Sequence, residues 1–275
     1  MTVYAGQGDP RRSLTLLWGA PEEVRTGRSG PKPGLSVDAI VSAGIAVADA
    51  DGMAALSMRA VGERLGRTAM ALYTYVPGKA ELLDLMHDRA LAELPGGATA
   101  FDDWRAAVTN WAEQLYDCYL RHPWMLQVSQ ARPVLGPAEL AAMERLLTAL
   151  QPAALSPERL RGAVAALWQF VRGTAAATAD ARGAAAATGI ADEDWWAARS
   201  ARLAELAPDF PERFPLLTAL QSATGGAPED SGREVFRTGL AVLLDGVAAG
   251  APGQGARDRA PDMAADTTPD SPDTA

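Results

Sequence analysis

Catalysis or metal binding in this chain would have to be built from two histidines, His87 and His122, one cysteine, Cys118, and two acidic clusters, Asp102-Asp103 and Asp192-Glu193-Asp194. Neither histidine stands at metal-ligand spacing from another donor. Cys118 falls among apolar residues of a predicted helix and reads as core filler rather than a nucleophile. Each acidic cluster opens a predicted helix, where carboxylates favour the positive end of the helix dipole. Gly78-Lys79 lacks both the earlier glycine and the following hydroxyl residue of a phosphate-binding loop. The expectation is a protein that is not an enzyme, with no metal and no cofactor.

Another chemistry is offered between Leu56 and Lys79. Ser57 is placed to cap a helix from Met58 to Leu65, whose apolar residues Met58, Val61 and Leu65 recur at helical spacing. Gly66 supplies the left-handed residue that closes it. Thr68 can cap a second helix, Ala69 to Tyr75, with Leu72 and Val76 turned inward and Ala69, Met70, Tyr73 and Thr74 left outside. Pro77 and Gly78 stop it. Two short helices around a tight turn form a helix-turn-helix, whose second helix enters the DNA major groove while the first crosses the backbone. Arginine suits the O6 and N7 of guanine there, and hydroxyls reach bases or phosphates.

The run Leu72-Tyr73-Thr74-Tyr75-Val76-Pro77-Gly78-Lys79 follows an amphipathic helix ending in Ala50-Asp51-Gly52 and precedes a fourth helix. From Leu35 to about Leu94 this closely resembles the TetR family of bacterial transcriptional regulators. The resemblance implies DNA contacts from Arg59 on the first motif helix, from Thr68, Ala69, Met70, Tyr73 and Thr74 on the reading face, and from Tyr75 and Lys79 to phosphates. Arg67 departs from the pattern, since the family usually places a valine in the turn. His122-Pro123-Trp124 and Leu135-Gly136-Pro137 resemble the tetracycline-repressor subgroup, and Trp111, Tyr119, Met125, Met143, Trp168 and Phe170 would then line a cavity for a small hydrophobic or planar effector. Magnesium and tetracycline are not carried over, because His122 is the one histidine of that half. The resemblance further implies a homodimer through Glu158 to Arg182 and Asp230 to Ala248, with Leu240, Val242, Leu243 and Leu244 supplying apolar area.

The elements that must position these groups read as all α: a three-helix DNA-binding head with a linking helix and a larger helical domain for ligand binding and dimerisation. The expected organisation is a basic, partly disordered arm (1–34), the head and linking helix (35–94), the effector and dimerisation domain (98–249) and a disordered tail (250–275). Pro95-Gly96-Gly97 is the internal break. The net charge of −9 is unevenly spread. Residues 10–35 carry five basic against two acidic side chains, residues 57–79 four against one, and everything after Leu94 fifteen against twenty-three. Positive charge is thus concentrated where phosphate contact needs it. A single cysteine suits a reducing compartment, and the cytoplasm is expected. No apolar run reaches the ~18 residues of a membrane span. The functional expectation is a homodimeric repressor that binds a palindromic double-stranded operator and is released by its effector. The rivals are a constitutive DNA binder without effector and a helical enzyme or carrier with a vestigial motif.

Overall fold

The computed structural model describes residues 3–19, 34–95, 103–223 and 228–249. The basic segment 20–33, the glycines of the internal break and the tail from residue 250, on which expectations above fall, lie outside them. The architecture is all α. A short strand β1 (Val3–Tyr4) and helix α1 (Pro10–Trp18) precede the head, which is made of α2 (Val37–Asp51), α3 (Met58–Leu65) and α4 (Ala69–Tyr73). Helix α5 (Lys79–Leu91) leads into the core: α6 (Trp104–Arg121), a 3-10 turn (Pro123–Gln127), β2 (Val128–Ser129), α7 (Pro137–Leu150) and the 32-residue α8 (Pro157–Thr188). Helices α9 (Asp192–Leu206), α10 (Phe210–Arg213) and α11 (Pro215–Ala223) form an arm, and α12 (Pro228–Ala249) returns along α8.

Local chemistry accounts for the boundaries. Ser36 and Ser57 cap α2 and α3 by accepting the N–H groups of Ala39 and Ala60, both at 3.1 Å. Ser156 caps α8, with proline at its first position and Glu158 in its first turn. The alanine-rich stretch after Arg182 stays helical to Thr188, where Gly189 closes it in a left-handed conformation. Alanine has the best helix propensity, and that suffices without packing.

One continuous apolar core runs from α2 through α5 and α6 to α8 and α12. Helix α5 sits at its centre, with ten of its thirteen residues buried. Of the expected N-terminal arm, residues 3–19 fall among the described residues. Residues 3–19 pack on α5, and β1 pairs in parallel with β2. The signal for this was weak because two-residue strands have no period, and Leu14 to Trp18 is too short to show one. Leu240 and Leu244 also depart from expectation: they are buried in the chain's own core, and Val235 and Val242 occupy the exposed face of α12.

Candidate nucleic-acid interface and effector cavity

The head is built around one close approach. Gly66 stands at φ +64, donating its N–H to the Glu63 carbonyl, and Arg67 N–H follows to the Gly62 carbonyl at 2.9 Å. A Cβ on Gly62 would lie 2.7 Å from the Arg67 carbonyl oxygen, so α3 meets the turn through bare backbone. Val61, Leu72 and Val76 are fully buried and hold α4 beneath. The turn is therefore regular despite Arg67, whose side chain is exposed and adds a cation instead of a packing group.

On the outer face Met70 is 74% and Tyr73 44% exposed, and Thr68, Thr74 and Lys79 are exposed beside them. Thr68 occupies the cap position of α4 without a capping bond. Ala69 and Tyr75 are half-buried against the core. Arg59 projects from α3 with its side chain 85% exposed, its Nε held by Glu63 at 2.8 Å. An exposed pair of this kind is worth about 0–1 kcal/mol, so a base edge or phosphate can replace the carboxylate. Of the eight residues expected to touch DNA, Arg59, Thr68, Met70, Tyr73, Thr74 and Lys79 are exposed.

Residues 40–86 match the family model described as bacterial regulatory proteins, tetR family, and residues 96–250 match that of the tetracyclin repressor-like C-terminal domain. The chain belongs to the TetR family. It is 39% identical over 247 residues to the HTH-type transcriptional repressor DrrR1 of Streptomyces coeruleorubidus, covering 90% of this chain and 88% of that one. An HTH-type transcriptional regulator of Saccharopolyspora erythraea is 33% identical over 177 residues, 64% of this chain and 73% of the relative. Among solved structures, apo ActR of Streptomyces coelicolor superposes with a TM-score of 0.62 at 26% identity, covering 80% of this chain and all of ActR. ActR in complex with actinorhodin gives 0.63 at 25% identity, covering 80% of this chain and 99% of that one. The family and these relatives are transcriptional regulators, and so is this TetR protein: it is a helix-turn-helix regulator and not an enzyme.

The joint between head and core is polar. His122, almost wholly buried, places Nδ1 at 2.9 Å from Asp49 of α2 and Nε2 at 3.1 Å from Glu93 just past α5. Asp49 also accepts Trp124 Nε1–H at 2.9 Å. Burial alone would raise the Glu93 carboxyl, but hydrogen bonds from His122 and Arg121 hold it below the usual range. His122 is thus the centre of a link and is already engaged by two carboxylates. Asp88 of α5 accepts the N–H groups of Ala138 and Glu139, both at 2.9 Å, and so caps α7 from outside. Burial pushes the carboxyls of Asp84, Asp88 and Glu139 upward. His87 is buried with an unpartnered Nδ1, and burial beside Arg172 lowers it to about 4. Burial pushes the Cys118 thiol up to about 12, which leaves it inert. Among the described residues no group of three His, Cys, Asp or Glu side chains could hold a metal ion, and no helix is long and apolar enough to cross a membrane.

The six residues expected to line an effector pocket are brought together as packing. Trp111 lies 5.3 Å from Trp168 and donates to the Ala142 carbonyl at 3.0 Å. Tyr119 and Met125 are fully buried. Phe170 stacks 5.9 Å from Phe236, and Met143 is half-buried against the core. None of the six lines a described cavity. One cavity of about 590 Å³ is polar and is bounded by Leu126, Gln127, Ser129, Gln130, Ala131, Gln169 and Arg172. It abuts the expected residues, since Gln130 donates to the Tyr119 hydroxyl at 2.9 Å and Arg172 donates to the Met125, Leu126 and Val128 carbonyls. Aromatic composition pointed to an apolar pocket. In this structure those side chains pair among themselves and pack on the core.

Proposed function

We propose that this protein is a ligand-responsive repressor that reads a palindromic operator as a homodimer. The observation that carries the reading is the exposure of Arg59, Thr68, Met70, Tyr73, Thr74 and Lys79 on and beside the helix-turn-helix, in a segment that is basic within a chain that is acidic as a whole. The cavity of about 590 Å³ is the proposed effector site. Its glutamines, Ser129 and Arg172 suit a small molecule rich in oxygen acceptors. The likeness to ActR, solved with actinorhodin, supports an effector over constitutive binding.

Dimerisation is supported by two exposed apolar surfaces. Helices α9, α10 and α11 contain no buried residue and expose Trp196, Leu206 and Leu216. Along α8, Ala165, Ala166 and Gly173 are exposed beside Val235 and Val242 of α12, and a Cβ on Gly173 would meet nothing. Apolar area of that extent is what a second copy would cover. An operator selected from random DNA by the purified protein, followed by gel shift, tests the reading. Arg59→Ala and Tyr73→Ala should each lose about 1–3 kcal/mol of affinity with the fold intact. Unchanged affinity in both would remove the proposed reading face.

A further inference from the structure

The geometry points to the N-terminal segment Val3–Trp18 acting as a clip that fixes the tilt of α5 against the cavity wall, and through α5 the spacing of the two DNA-reading heads. This rests on the dimeric repressor reading given above.

The clip is fastened at three places, none of them in α2, α3 or α4. Val3 and Tyr4 pair with Val128 and Ser129, and Ser129 bounds the polar cavity. Gly6 N–H donates to Asp84 Oδ1 at 2.8 Å and the Ser13 hydroxyl to Asp84 Oδ2 at 3.4 Å, while Asp9 N–H donates to Glu81 at 3.1 Å. Trp18 Nε1–H then donates to the Leu135 carbonyl at 2.8 Å. Leu135 stands at φ +60, a left-handed conformation that a leucine holds only when its surroundings impose it. Trp18 and the carboxylate of Glu139, which accepts the Leu135 N–H, impose it here.

These attachments join the cavity strand, one face of α5 and the entrance to α7. Helix α5 is the element that packs on both α2 of the head and α7 of the core. A tilt of α5 relative to β2 must therefore stretch or release the clip. Two of the three buried carboxylates of α5, Glu81 and Asp84, take donors from the clip, whose backbone N–H groups would themselves lose these partners without α5. The pairing is reciprocal, so neither side is ordered alone.

The test breaks the clip in the full chain from either side. Gly6→Pro removes the N–H that Asp84 accepts and cannot adopt φ +66. Asp84→Ala removes the acceptor. Hydrogen exchange without DNA should show both α5 and residues 126–131 exchanging roughly tenfold faster in each variant, with α12 unchanged. A palindrome selected by the wild-type protein is then compared with the same palindrome carrying one extra base pair between half-sites. The wild type should discriminate by about tenfold or more and the variants by about threefold or less, because a looser α5 lets the heads follow the longer spacing. Faster exchange confined to residues 3–19, or undiminished discrimination in Gly6→Pro, would overturn the clip. If the wild type selects no palindrome, the repressor reading fails instead, and the exchange result alone then decides for or against a clip on α5.

Discussion

His87 should make the fold sensitive to mild acid. The ring is buried in α5 beside Arg172 and held at about 4, against an ordinary value of about 6.5. Because the folded value is depressed, the neutral ring's contribution is fully present above about 6.5. It is lost progressively as the pH falls through 6.5 toward 4, where the unfolded chain takes a proton that the folded chain refuses. From these two values the loss relative to pH 8 is about 1.4 kcal/mol at pH 5.5 and about 2.5 kcal/mol at pH 4.5. His87→Leu removes the titrating ring and its unpartnered Nδ1 together, so at pH 7.5 it should be neutral or stabilising by about 1 kcal/mol. Urea unfolding of wild type and variant at pH 7.5, 6.5, 5.5 and 4.5 gives the difference at each pH. In that difference the buried carboxyls of Asp84, Asp88 and Glu139 cancel, although each favours folding at acid pH in the opposite sense. The advantage of His87→Leu should grow by about 2.5 kcal/mol over the range. Curves that stay parallel, or an imidazole resonance that titrates near 6.5, would refute the reasoning.

Lys79→Ala should weaken binding to all DNA alike and lower the salt slope by about one ion, as read by gel shift in a salt series. Gly62→Ala places a methyl group 2.7 Å from a backbone oxygen at the turn, so operator binding should collapse, while circular dichroism reports an intact core. Gly173→Glu should give monomers by light scattering, because it puts a charge on the small-residue face of α8.

The head was legible because its determinants are local. Ser57, Gly66, Leu72 and Pro77 each act within a few residues, and periodicity with caps is enough to place them. The joint was not, because Asp49, Glu93 and His122 are brought together across 73 residues of sequence by helix packing. One sign was available: Glu81, Asp84 and Asp88 recur at steps of three and four on a helix whose remaining face is Leu82, Leu83, Leu85 and Met86. Acids on that spacing in an apolar helix require donors from elsewhere, which here are the N-terminal segment and the start of α7. The polar cavity carried no sign in the sequence, because aromatic content identifies what fills space, not where space is left. Its lining of glutamine, serine and arginine has no signature in composition.

The burial of α5 on nearly every side bears on how regulators of this kind can be recombined. A chimaera that joined another protein's DNA-binding segment at residue 94 would import a foreign α5 with no acids for the N-terminal donors and no carboxylate for the α7 cap. Two junctions, one just before α2 near Leu35 and one in the linker before α5 near Pro77-Gly78, leave those pairings native and exchange only α2, α3 and α4. The graft would then have to bring one acidic side chain at the position of Asp49, because His122 and Trp124 both wait for it. A graft so cut separates the DNA-reading helices from the core, with Asp49 as the carboxylate that the buried His122 requires and Asp38 as the exposed partner of Arg89.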